Sequence, residues 1–183
     1  MKRSKIQQIS SAILPSLLIP IPIVAHAEIY LSSDQAAEII FPGVKFERKE
    51  ITLTDAQKMA IEKSSGESIR NQKLTAFVEK ASNKKNVVLI DQVLGKHEFI
   101  TIAVGINGQG IVQDIEILEY RESYGNQVKN ADWRKQFVGK SKSSPIKLGS
   151  DIKNISGATL SSAHVSAGVR RLVQTYEVIH DSL

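Results

Sequence analysis

The chain has no cysteine among its 183 residues. No disulfide can staple the fold, and thiolate-held iron–sulfur clusters and thioether-attached haem are both excluded. Histidine is scarce: His26, His97, His164 and His180 are the four, and they show no metal-ligand spacing. Aromatic residues make up only 5% of the chain, and no basic stripe interleaved with aromatics offers a nucleic-acid surface. Also missing are paired carboxylates, a Ser-His-Asp order and a nucleophile elbow, so hydrolysis has no motif and no catalytic residue is assigned. No Gly-rich dinucleotide loop supports direct oxidation of a nicotinamide cofactor. A redox role would need an organic cofactor.

Residues 1–27 have the anatomy of a secretory leader. Lys2, Arg3 and Lys5 precede a mostly apolar stretch, and Ala25 and Ala27 supply the small residues of a cleavage site. Pro15, Pro20 and Pro22 interrupt that stretch, which argues against a spanning helix of about 20 residues. The expected product is an exported protein, periplasmic or extracellular, with one domain at 28–183 and no membrane association after cleavage. The leader holds three of the 24 Lys and Arg residues and none of the 19 acids, so the remainder carries 21 bases against 19 acids. The pI near 9.4 therefore reflects the leader more than any nucleic-acid surface.

The rest alternates from helix to sheet to helix. A capped helix is expected over 33–40, stopped by Phe41-Pro42-Gly43, and a capping box at Thr54-Asp55-Ala56-Gln57 predicts a second over about 55–63. Runs rich in Val, Ile and Phe predict strands at 74–80, 87–94, 99–106 and 111–119, with connections too short for helical crossovers. In the last, Ile111, Gln113, Ile115, Ile117 and Glu119 form the expected core face. A short helix should run from Asn130 to Gly139, followed by a polar loop over 140–150. The fold class is α+β: an antiparallel sheet of about four strands against a long C-terminal helix and shorter helices.

The segment richest in chemistry is Ser156-Gly157-Ala158-Thr159-Leu160-Ser161-Ser162. Val165, Val169, Leu172, Val173 and Tyr176 follow at helical spacing, so a helix beginning near Ser161 places all five on one face and Thr159 at its mouth. The first backbone N–H groups of a helix lack internal partners and attract phosphate. The plainer reading is an ordinary Ser or Thr N-cap. Asn154-Ile155-Ser156 also fits a glycosylation acceptor.

The stretch 151–162 resembles the signature of the FMN-binding domain family, which includes domains of the Na+-pumping NADH:quinone reductase C subunit and the Rnf complex G subunit. Upstream, Glu122-Ser123-Tyr124-Gly125 at the end of the last strand resembles that family's Glu-Thr-Pro-Gly turn, and Trp133 to Gly139 reads as its Trp-x3-Phe-x-Gly. The resemblance spans about 70–178. It implies FMN joined by a phosphoester to Thr159, with Ser156, Gly157, Ala158, Leu160 and Ser161 around the phosphate. Covalent attachment implies a Mg2+-dependent flavin transferase as a maturation partner; noncovalent FMN is the alternative. Relatives carry an aspartate six residues before the threonine, where this chain has Lys153, and many have a second acid at the place of Asp151.

A flavin ring needs apolar walls and a few polar contacts at its edge. Glu122, Ser123, Tyr124 and Gly125 are candidate ring or ribityl contacts, and Trp133 with Phe137 is either an apolar wall or plain core. Lys140 is either a charge favouring the reduced anion or a solvated loop lysine. The expected function is electron transfer through FMN to an unidentified redox partner. The competing class is a secreted, non-redox module that binds a small phosphorylated ligand or a protein.

Overall fold

The computed structural model describes residues 28–80 and 85–183, so the leader at 1–27 lies outside the described residues. Strand β1 (Glu28–Ile29) leads to helix α1 (Ser33–Ile40), β2 (Phe46–Thr52) and α2 (Asp55–Ser65). Strands β3 (Lys73–Glu79), β4 (Val87–Leu94), β5 (Phe99–Ile106) and β6 (Val112–Tyr120) follow. Helix α3 (Ala131–Arg134) runs into a 3-10 turn at Lys135–Phe137, and α4 (Thr159–Ile179) ends the domain.

Both early helices begin with reciprocal capping boxes. Ser32 pairs with Gln35 and Thr54 with Gln57, which satisfies two otherwise unpaired backbone donors each time. All neighbouring strands are antiparallel, in the order β1-β6-β5-β4-β3-β2. The sheet thus has six strands rather than about four. The two additional strands are the two-residue β1 and β2; β2 reads Phe-Glu-Arg-Lys-Glu-Ile-Thr, too charged to register as a strand, yet it pairs with β3 from Phe46↔Glu79 to Thr52↔Lys73. It is an edge strand, and such charges oppose further edge pairing.

Helix α4 lies along β4 and β5 on one face, with α2 packed against it, and α1 covers part of the other face. The larger core joins Val165, Val169, Leu172, Val173 and Tyr176 of α4 to strand residues such as Leu89, Ile102 and Ile117. A smaller core sets Ala37 and Ile40 of α1 against Phe77, Val88, Ala103 and Leu118.

Strand β6 departs from strict alternation. Its register against β5 shifts between Gly105 and Ile106 and again between Thr101 and Ile102. Each shift leaves one extra residue on β6 and reverses the faces beyond it. Val112, Ile115, Ile117 and Tyr120 consequently share the α4-side core, Gln113 is exposed, Glu119 is only partly buried, and Leu118 faces α1. Of the expected core face, Ile115 and Ile117 hold. The second shift turns Tyr120 toward α4, which matters for the site.

Close packing fixes the height of α4 over the sheet. A Cβ on Gly168 would lie 2.4 Å from Val93 Cγ1 and 2.9 Å from Ile102 Cδ1. Gly168→Ala gains about 1 kcal/mol of helix propensity, but overpacking a stiff valine costs about 1–3 kcal/mol. Denaturant unfolding should show a net loss of about 1 kcal/mol. A stabilised variant would contradict this packing.

Candidate phosphate and flavin site

Helix α4 starts two residues earlier than its apolar face requires, so Thr159 is its first residue. The first ladder bond runs from Ser162 N–H to Ala158 O at 2.9 Å. The amides of Thr159, Leu160 and Ser161 therefore precede the intrahelical ladder. The N-cap is Ala158, and no side chain caps the helix. The reading of the hydroxyl-rich turn as an ordinary Ser or Thr N-cap is corrected here. Thr159, Leu160, Ser156 and Gly157 are exposed, whereas Ala158 and Ser161 are buried. Gly157 is left-handed at φ 82°, and a Cβ there would meet nothing within 4 Å. Asn154 Nδ2 donates to Thr159 Oγ1 at 2.9 Å.

The end of β6 is fastened to this turn. The Tyr120 hydroxyl donates to the Tyr124 carbonyl at 2.5 Å and lies 2.9 Å from Ser161 Oγ. A phenol has one proton to give, so the Ser161 hydroxyl donates to Tyr120. Burial raises the Tyr120 pKa above the ordinary phenol value, despite the opposing bond from Ser161, which keeps the phenol protonated. Gly125 stands in the left-handed region at φ 92°, where a Cβ would lie 2.5 Å from Ser161 Oγ and 2.7 Å from the Tyr120 hydroxyl. Only glycine lets the turn come this close.

The approach to Thr159 is held from the other side by α3 and its 3-10 extension. Trp133 Nε1 donates to Lys153 O at 2.7 Å, and Lys153 N donates to Gln136 Oε1 at 2.8 Å. Both backbone groups of Lys153 are thereby occupied, while the residue is exposed. Lys140 Nζ pairs with Asp151 Oδ2 at 2.8 Å, and Asp151 Oδ1 accepts from Lys147 N at 2.9 Å.

Of the residues singled out in the sequence, the fold brings together Tyr124, Gly125 and the turn from Ser156 to Ser161. Ser123 lies in the intervening bend and is partly buried. Glu122 points elsewhere: its Oε1 accepts from the amides of His97 and Glu98 at 2.5 and 3.1 Å, bracing the β4–β5 hairpin. Burial opposes ionisation of Glu122, but these amides outweigh it and hold its pKa below the ordinary value. Trp133 and Phe137 are buried in an edge-to-face pair with centroids 5.1 Å apart, so they are core rather than a wall. Lys140 is no solvated loop lysine, since its side chain is only 22% exposed and ion-paired. Sequence reasoning missed Tyr120 as a clamp and Asn154 as the partner of Thr159. An asparagine five residues before the threonine was visible, but nothing in its spacing told which atom it would reach.

Burial raises the Asp151 pKa, and Lys140 with the amides of Lys147 and Ile146 overcomes it, leaving a net depression. A carboxylate with a depressed folded pKa stabilises the fold above its unfolded pKa of about 3.9 and loses that contribution as pH falls through the folded value. Asp151→Asn should lower Tm at pH 7, and the gap from wild type should close on acidification below about pH 4. A gap independent of pH would reject the ion pair as its source.

Residues 95–174 match the family described as FMN-binding domain, a stretch from the β4–β5 turn through most of α4. It is narrower than the span of 70–178 read from sequence, but it contains both the 122–125 turn and Thr159. No curated protein matches the chain. The structure fits one phosphate: unladdered amides at an uncapped helix start, a neutral amide donor from Asn154, and open space over Gly157. Residues 95–174 belong to the FMN-binding domain family, and FMN is the cofactor that this domain indicates.

Proposed function

We propose that this protein is an exported flavoprotein that relays electrons through FMN joined by a phosphoester to Thr159. The observation that carries the reading is an exposed threonine hydroxyl at the first position of a helix without a side-chain cap. FMN, when bound, supplies the redox chemistry. The protein's own part is to bind and orient it. The amides of Thr159, Leu160 and Ser161 face a phosphate with the positive end of the helix dipole. Asn154 holds Oγ1 of Thr159, and the Tyr120–Ser161 contact keeps the first turn from fraying. An ester bond would retain the flavin outside the cytoplasm, where replacement is scarce. A flavin transferase would make the bond from a flavin adenine dinucleotide, with Thr159 Oγ1 attacking the FMN-side phosphorus, the pyrophosphate bond breaking and AMP leaving. A separate redox protein would exchange the electrons.

Two experiments test this. In protein co-expressed with a flavin transferase, the wild type should give a fluorescent band after denaturing electrophoresis, and Thr159→Ala should abolish it. Because Lys153 is held through its backbone, Lys153→Asp changes surface charge without releasing the loop. It should raise the labelled fraction if wild-type labelling is incomplete. Tight FMN binding with no denatured fluorescent band, in wild type and Lys153→Asp alike, would reject the ester and leave noncovalent binding.

Export is supported by the leader-like 1–27 segment and by Glu28 entering the sheet opposite Tyr120. Intact mass of protein from the periplasmic or extracellular fraction should correspond to a chain beginning at or near Glu28. Recovery of the full-length chain in the membrane fraction would contradict cleavage. Among the described residues, no helix is long and apolar enough to cross a membrane.

A further inference from the structure

Strands β3 and β4 part before either of them ends. Their pairing runs from Val78↔Val87 to Thr75↔Ile90. Strand β3 stays paired with β2 as far as Thr52↔Lys73, and β4 with β5 as far as Leu94↔Phe99. Continued by two residues, the β3–β4 register would set Lys73 against Gln92. Each amide is instead taken up locally: Lys73 N–H donates to Asn71 Oδ1 at 3.0 Å, and Gln92 N–H donates to Asp91 Oδ1 at 2.7 Å. Residues 91–94 therefore have, among the described residues, a strand on their β5 side only. We propose that this parting is a docking site for an extended, acidic segment of a partner protein, added to the sheet as a strand along 91–94.

The space fits a strand. A groove of about 780 Å³ occupies the parting, with Lys73 and Leu74 on one lip, Gln92 on the other and Leu172 of α4 behind. It reaches both faces of the sheet, because Val93 belongs to the core beneath α4, whereas Leu94 and Phe99 alternate with Val93 and Ile100 and face the other way. Alternate side chains of an added strand would meet Leu74 and Leu172 on one face and Leu94 and Phe99 on the other. Phe99 is an aromatic left 41% exposed. Four paired residues span about 13 Å.

The edge offers what an added strand needs. An unpaired strand edge presents N–H and C=O groups in a row, and an extended peptide binds them through its own main chain. The local bond at Gln92 shields its donor without filling the groove. Arg171 braces the edge from α4: its Nη2 lies 2.5 Å from Asp91 Oδ2, and its Nη1 donates to Ser68 O at 3.4 Å. Charge selects the occupant. The three acids of the lining are already paired, Glu50 with Arg48, Glu67 with Arg170 and Asp91 with Arg171. Arg70 and Lys73, also in the lining, are exposed and make no ion pair among the described residues. The mouth of the groove is left with two cations, which favour carboxylates on the incoming segment.

The test is fluorescence anisotropy of a rhodamine-labelled peptide, Glu-Val-Thr-Val-Glu, titrated with the flavin-loaded protein. Saturable binding is expected, with Kd below about 1 mM. The fully N-methylated peptide, which keeps the charges but has no main-chain donors, should bind at least about fivefold more weakly, and so should Lys-Val-Thr-Val-Lys. Arg70→Glu combined with Lys73→Glu, both at exposed positions, should exchange the preference between the Glu-ended and Lys-ended peptides. Absence of saturable binding would overturn the site. Equal binding of the methylated peptide would overturn the added strand, and a charge preference unmoved by the double substitution would overturn the acidic partner. Should the double variant fail to fold, the comparison of the three peptides on the wild type decides.

Discussion

The unladdered amides at the start of α4 are the constraint around which this domain is arranged. A helix N-terminus carries partial positive charge and unsatisfied donors, and most helices quench both with a Ser, Thr, Asp or Asn cap. This chain places Ala158 there and leaves the nearby hydroxyls of Ser156 and Thr159 without a capping role. The cost is ordinarily about 0.5–2 kcal/mol. A phosphate bound at that end would restore the missing interaction, which ties the stability of the first turn to occupation of the site.

The rest of the structure holds that end in position. The register shift at the end of β6 turns Tyr120 toward α4, where its hydroxyl joins Ser161 to the 122–125 turn. On the approach side, Trp133 and Gln136 hold the backbone of Lys153, and Lys140 holds Asp151. Gly168 lets the helix body settle onto Val93 and Ile102. These contacts come from different stretches of chain, and each restrains the helix start or its approach. Such restraint suits the recognition of the FMN phosphate proposed for this helix start.

The parts legible in sequence were those governed by local periodicity and local capping. Strands β4 and β5 fall at the expected bounds, the capping box at Thr54 forms, α1 is capped and spans 33–40, and the apolar face of α4 is buried as its spacing predicts. Strand β2 was illegible because a charged edge strand has no alternation to display. The β6 register shifts were illegible because they arise from pairing with β5 and leave no mark in β6 alone. Among candidate site residues, the turn around Thr159 was legible because backbone N–H placement follows from where a helix starts. Glu122, Trp133 and Lys140 were not, since a side chain's partner is set by tertiary contacts: the His97 amide, the Lys153 carbonyl and the Asp151 carboxylate.

The central claim is that the start of α4 recognises the phosphate of the flavin. Calorimetric titration of flavin-free protein with FMN and with riboflavin, which differ only by that phosphate, tests it most directly. The account predicts measurable binding of FMN and loss of nearly all affinity for riboflavin. Equal affinity for the two would contradict it.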